Sequence, residues 1–360
     1  VEKSKGTGKR HLKSWEQVRE DSSPFSISVP QKQRTRIRPV FIPYAGCPHR
    51  CAFCAQPLQT GRAPQPLDSI YKETAEMLAR AAREGEPAAE LAFFGGTFTA
   101  LPGAWPERFL ELAADYRATG LVTALRCSTR PDAVDRDSLQ RLKSCGLDAI
   151  ELGVQSFDTA TLAASQRGYT RETALRACAL IKDAGLELGI QLMAGLPGHT
   201  QRAFSNDVQS ACAAAPATVR LYPCLVLEGT ELAATWRQGR YRPWGLNRSV
   251  AALAIALRAF EQRGIRVIRL GLAAEPGLAQ HILAGPWHPA LGNKVRALAL
   301  FIDIREQIKL IGRPVQGLYY PRSRQGEIWG HARELVPAYA RLGLSPGNAR
   351  PWEESFCVLW

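Results

Sequence analysis

The chain has 360 residues, 46 Lys and Arg against 33 Asp and Glu, a net charge of +13, and 46% apolar residues. These figures exclude a disordered chain and suit one barrel-sized core with an extension. No run of ~18 apolar residues occurs, so no membrane span is expected. The charged N-terminus lacks an apolar signal segment, and nine cysteines without a disulfide-like framework fit a reducing, cytoplasmic setting.

Residues 1–38 carry ten Lys/Arg against four acids, +6, and are expected to form a basic arm suited to phosphates or another anionic partner. A solvated tail is the plainer alternative. A short apolar strand at 40–45 then leads into Cys47-Pro-His-Arg-Cys51-Ala-Phe-Cys54, spaced C-x3-C-x2-C. Three thiolates can hold three irons of a 4Fe–4S cluster and leave the fourth open, as in reactive metal sites. Zinc is the alternative. It favours paired Cys/His motifs, a second pair is missing, and His49 beside Pro48 is poorly placed to complete a tetrahedron. The other six cysteines stand singly in apolar surroundings and are expected in the core. Cys224, near a strand end, is the one that could face a site.

Beyond the loop, apolar runs at 90–94, 123–128, 149–154, 187–194 and 218–226 alternate with amphipathic stretches at 68–84, 105–118, 136–144, 171–184 and 201–214. Asp68, Pro106, Asp135 and Thr200 mark helix starts; Gly146 and Gly185 mark helix ends. The expected fold is α/β, a partial (β/α)6 TIM-like barrel over 39–245 with a C-terminal α/β extension over 246–360. A doubly wound open sheet is the alternative. In a barrel, the strands' C-terminal ends would gather the cysteine loop, Gly95-Gly96-Thr97, Ser128, Gln155 and Gly195.

These segments together resemble the radical S-adenosylmethionine (SAM) superfamily, in particular its Elongator protein 3-like branch. The likeness rests on the cysteine loop with Phe53 before the third Cys, Gly-Gly-Thr-Phe (95–98), Thr-Arg-Pro-Asp (129–132) and Glu-Leu-Gly-Val-Gln-Ser (151–156). Arg-Gly-Tyr-Thr (167–170), Gly-Leu-Pro-Gly (195–198) and Leu-Glu-Gly-Thr-Glu-Leu (227–232) complete it, over residues 40 to about 245. Coproporphyrinogen oxidase-like proteins are more distantly similar.

The resemblance implies a 4Fe–4S cluster on Cys47, Cys51 and Cys54, with SAM chelating the open iron. One electron, from a flavodoxin- or ferredoxin-type reductant, would break SAM to a 5′-deoxyadenosyl radical that takes hydrogen from a substrate, with tRNA a candidate. It further implies that Phe53, Gly95, Gly96, Thr97 and Ser128 help to bind SAM. Gln155 and Arg167 would meet the ribose and the carboxylate, and Gly195 the adenine. No residue is assigned to the hydrogen-transfer step itself. A heme chaperone-like cofactor carrier is the non-enzymatic alternative. Two departures stand out: Ser128 replaces a carboxylate common in the family, and Tyr169 replaces a His. Residues 245–360 lack an acetyl-CoA loop of the Gln/Arg-x-x-Gly-x-Gly/Ala kind, so acetyl transfer is not carried over.

In the C-terminal third, a helix is expected at 248–263, a strand at 265–272 and a last strand at 354–360 docking on the barrel edge. Trp287 and His288 lie in a Pro/Gly-fixed loop. Packing and a hydrogen-bonded cap are favoured for them over substrate contact.

Overall fold

The computed structural model describes residues 22–27, 36–272 and 277–360. The expected basic arm therefore lies outside the described residues, except for 22–27 and 36–38. The described residues form two compact units, one within 36–295 and one combining residues 22–27 with Arg296–Trp360. The division falls inside helix Leu291–Ile311, well beyond the expected boundary at 245/246.

The larger unit is built on seven parallel strands in sequential order: β1 Ile37–Phe41, β2 Ala89–Phe94, β3 Val122–Thr129, β4 Ala149–Gln155, β5 Glu187–Ala194, β6 Thr218–Pro223 and β7 Arg266–Leu270. Helices α1 Leu67–Arg83, α2 Trp105–Ala118, α3 Arg136–Ser144, α4 Arg171–Asp183 and α5 Gln201–Ala214 connect the first six strands, with α6 Leu246–Glu261 before β7. Parallel pairing requires such crossovers. Helix starts are chemically marked. The Asp135 carboxylate accepts from Ser138 N at 2.9 Å while Ser138 Oγ accepts from Asp135 N, a reciprocal cap. Thr200 Oγ1 accepts from Ala203 N. Asp68 lies in the first turn of α1 rather than at its cap, which is Pro66.

The sheet has one strand more than the expected six. The run at 265–272, assigned to the extension, is β7 and pairs in parallel with β6. The sheet is curled. Seven strands at ~4.8 Å spacing would hold the edges of a flat sheet about 29 Å apart. Here Ile37, Pro39 and Phe41 of β1 line the same cavity as Ile268 and Arg269 of β7. The result is a parallel half-barrel, as the (β/α)6 reading anticipated.

In the smaller unit, Ser23–Ser26, Phe356–Leu359, Leu318–Pro321 and Ala349–Trp352 form a four-stranded sheet in that order. Its core gathers Leu300, Phe301, Ile304, Leu318, Tyr339 and Leu359. The last strand, expected on the barrel edge, pairs instead within this sheet. Among the described residues no helix is long and apolar enough to cross a membrane.

Candidate active site

The cysteine loop follows β1 and is pinned on several sides. Gln56 Oε1 accepts from Tyr44 N at 2.6 Å and from Gly96 N at 3.0 Å, tying the loop to the turn after β2. Thr97 N donates to Ala45 O at 2.7 Å, and Ala52 N donates to Ser165 O at 3.2 Å. His49 Nε2 lies 2.7 Å from Gln166 O, so the ring is engaged with backbone. Two glycines make this fit possible. A Cβ on Gly96 would sit 2.3 Å from Ala45 O, and one on Gly46 would sit 2.3 Å from Thr97 O; both have positive φ. Gly96 therefore clears room for the cysteine loop, a use the sequence reading did not include.

The three thiols meet different surroundings. Cys47 Sγ lies 3.2 Å from Thr97 Oγ1. Cys51 Sγ accepts from Arg167 Nη1 at 2.9 Å and lies 3.6 Å from Arg130 Nη1. Burial raises Cys47, and burial with repulsion from Cys51 and Cys47 pushes Cys54 up to about 12. Iron ligation requires thiolates, so loading this loop would release protons.

A cavity of about 520 Å³ opens over the loop, within the range of small-molecule sites. Cys47, Cys51, Phe53 and Cys54 line it, with Gly95, Gly96, Ser128, Gln155 and Arg167. Of the expected cofactor contacts, Thr97 and Gly195 are not among the lining residues. Thr97 is fully buried, its hydroxyl against Cys47. Gly195 turns the chain against Trp244, where a Cβ would come within 3.1 Å of the ring. Its carbonyl accepts from Tyr241 OH at 2.6 Å.

Gln155, 5% exposed, has φ +66, a costly conformation for a non-glycine residue. It ends β4 and its Oε1 accepts from Gln191 Nε2 at 3.2 Å. Arg167 is equally buried. Its Nε donates to Tyr169 OH at 3.0 Å and its Nη2 donates to Gly153 O at 2.5 Å. Burial opposes the Arg167 charge, yet Tyr169 and Cys51 raise its pKa overall. Tyr169, which stands where the family has a His, sits behind Arg167, its hydroxyl 3.0 and 2.9 Å from the carbonyls of Gly153 and Val154.

Beneath this layer, β2, β3, β4 and β6 each contribute one charge to a buried network. Arg126 donates to Glu90 at 2.5 and 3.0 Å and to Glu151 at 2.7 Å; Arg220 donates to Glu151 at 2.9 Å. Two acids and two bases neutralise one another. Sequence reasoning missed these four residues, as well as Gln56, Gln191 and Arg130. Arg130 and Glu151 had a signal, their places in Thr-Arg-Pro-Asp and Glu-Leu-Gly-Val-Gln-Ser. Cys224 is 1% exposed and sits in an apolar cluster with Met193 and Tyr222, as core packing required. His288 Nδ1 accepts from Ala290 N at 3.0 Å, the favoured capping role, while Trp287 is 38% exposed.

The donor set fits a cluster and SAM. Among the described residues no three His, Cys, Asp or Glu side chains converge to hold a single metal ion. A 4Fe–4S cluster takes thiolates on separate irons and has no need of such convergence. Polar groups suited to an amino acid and a nucleoside (Gln155, Gln191, Ser128, Arg167) share the cavity with the thiols.

A family model described as the Radical SAM superfamily matches residues 41–211, and one described as the Radical_SAM C-terminal domain matches 216–298. The tRNA uridine(34) acetyltransferase of Methanocaldococcus infernus is 27% identical over 265 residues, 63% of this chain and 49% of that protein. The heme chaperone HemW of Synechocystis is 29% identical over 205 residues, 55% of this chain and 49% of that protein. The chain thus spans about half the length of these relatives. The solved structure of archaeal M. infernus Elp3 with an N-terminal deletion superposes with a TM-score of 0.58 at 23% identity, covering 77% of this chain and 64% of that one. That likeness establishes a shared fold.

Proposed function

Because the chain belongs to the radical SAM superfamily and fits its Elongator protein 3-like branch, we propose that it holds a 4Fe–4S cluster on Cys47, Cys51 and Cys54, cleaves SAM reductively, and acts on an anionic substrate, with tRNA the leading candidate. It is an enzyme of that class, and the heme chaperone among its relatives is the more distant likeness. The observation that carries the reading is one cavity holding three thiols beside Gln155 and Arg167. When bound, the cluster would supply the single-electron reduction of SAM that such enzymes use to abstract hydrogen from a substrate.

The chain's residues bind and orient. Arg167 uses three N–H groups within the protein and keeps one on each terminal nitrogen, enough to hold SAM's carboxylate. Gln155 keeps its own amide donors for the ribose, fixed by the Gln191 bond. Gly95 and Gly96 admit the methionine end close to backbone, and Phe53 packs against it. Ser128 offers a hydroxyl where the family often has a charge. Thr97 and Gly195 act through the loop and the turn they hold.

The basic composition supports an anionic substrate. Residues 1–38 would contact its phosphates, and the chain beyond the barrel would choose it. A flavodoxin- or ferredoxin-type protein in a reducing cytoplasm would supply the electron. The test is anaerobic: reconstitute iron and sulfide, reduce, add SAM and measure 5′-deoxyadenosine. Release of 5′-deoxyadenosine and methionine is expected even without substrate. No cleavage, with one tightly bound zinc per chain, would overturn the reading. A salt-sensitive tRNA gel shift that weakens on deleting residues 1–38 would support the RNA assignment, and a shift unchanged by salt and deletion would count against it.

A further inference from the structure

The three thiols of the loop are not electrostatically equivalent. Cys47 faces a neutral hydroxyl, and Cys54 lies beside the Gln56 amide. Arg167 acts through space on Cys47 and Cys54, and Arg130 on Cys47, but among the described residues the close contacts with these arginines fall on the Cys51 sulfur, which meets both guanidinium groups. Both are 5% exposed or less, so solvent screens them little.

Both guanidinium groups are also held in place from behind. Arg130 forms a two-pronged pair with Asp132, at 2.9 and 2.8 Å, and its Nη2 donates to Arg167 O at 2.5 Å. That leaves Nη1 as the nitrogen turned to Cys51. Arg167 is held by Tyr169 OH and Gly153 O, which leaves its Nη1 turned to the same sulfur. The SAM reading gives Arg130 no task. A buried arginine fixed by three bonds so that its last nitrogen faces an iron ligand needs one.

We propose that Arg130 and Arg167 form a cationic clamp on the Cys51 thiolate that raises the cluster's reduction potential, with Arg130 as a positioning residue for electron entry. The inference rests on the reading of Cys51 as a cluster ligand. Reduction adds one negative charge to the cluster and its thiolates. A nearby cation stabilises the reduced form more than the oxidised one, and hydrogen bonds to cluster sulfurs act in the same direction. The clamp would make the bound cluster easier for the reductant to reduce.

The test is a potentiometric titration of the reconstituted protein followed by electron paramagnetic resonance. Arg130→Gln should lower the reduced-to-oxidised ratio at a fixed potential about tenfold, which for one electron is about 59 mV more negative. Asp132→Asn removes the carboxylate that offsets the Arg130 charge without touching the loop, and should move the midpoint the other way, to more positive potential. Arg130→Lys keeps the charge and should recover part of the shift seen in Arg130→Gln. Midpoints equal to the parent in Arg130→Gln and Asp132→Asn, a positive shift in Arg130→Gln, or a negative shift in Asp132→Asn would overturn the clamp. If Arg130→Gln fails to hold a cluster, the Asp132→Asn midpoint decides: a positive shift supports the clamp, and an unmoved or negative one overturns it. Cys51→Ala separates the two claims. Full iron retention there would refute the ligand reading, whereas iron loss with an unmoved Arg130→Gln midpoint would refute the clamp alone.

Discussion

Two polar layers stack inside one barrel, and they are built in opposite ways. The lower layer, Glu90, Arg126, Glu151 and Arg220, pairs every charge with an opposite one, between adjacent strands from β2 to β4 and across β5 from β4 to β6, even though Glu151 and Arg220 also border the cavity. The upper layer is left open. It holds three thiols, a glutamine at φ +66 and an arginine with spare N–H groups, all facing a cavity. Burying polar groups is costly unless they are paired. The lower layer meets that cost within the chain and ties strands together, whereas the upper layer leaves partners for a ligand to supply. Stability and chemistry should therefore separate under mutation.

The largest effect should come from the upper layer. Changing Cys47, Cys51 or Cys54 to Ala removes a proposed iron ligand, so iron content and SAM cleavage should fall to background while the thermal midpoint of the apoprotein moves little. Arg126→Met should do the reverse. It leaves Glu90 and Glu151 buried with lost partners, a cost of about 3–5 kcal/mol. Thermal melts should fall accordingly, while the protein that remains folded still takes up a cluster. If Arg126→Met instead removed cluster binding at unchanged stability, the two layers would not be distinct.

The middle of the range lies where the layers are joined to the loop. Gly96→Ala forces a Cβ toward Ala45 O at positive φ and should cost about 1–3 kcal/mol, with iron retained several-fold less well in a chelator challenge. Tyr169→Phe removes the hydroxyl behind Arg167, a loss of about 1–3 kcal/mol. Its pH signature has a definite sign. Burial raises Tyr169 above 10.0, so its contribution is complete below about pH 10 and is lost as pH rises further. Melts between pH 8 and 11 should decline less steeply at the alkaline end in Tyr169→Phe than in the parent. The smallest effect belongs to the exposed Asp68–Lys72 pair on α1, whose removal should leave the midpoint unmoved.

The same contrast explains what was legible in the chain. The cysteine spacing, the glycine turn and the strand–helix alternation are local, so six strands and the cavity's thiols could be read in order. The lower layer could not. Glu90, Arg126, Glu151 and Arg220 are single charges in four separate apolar runs, and they acquire meaning only when parallel pairing brings those runs together. Long-range pairing likewise hid the membership of β7 in the barrel and the partners of the final strand. Thr97 and Gly195 show a subtler limit. A motif places a residue at a strand end, but packing against Cys47 or Trp244 decides which way it faces.

The central claim is that the upper layer holds a cluster with one iron open to SAM. The direct measurement is the electron paramagnetic resonance spectrum of the reduced, reconstituted protein with and without SAM, alongside its iron content. About four irons per chain and a spectrum changed by SAM are predicted. One zinc per chain, or a cluster signal that SAM leaves unaltered, would contradict it.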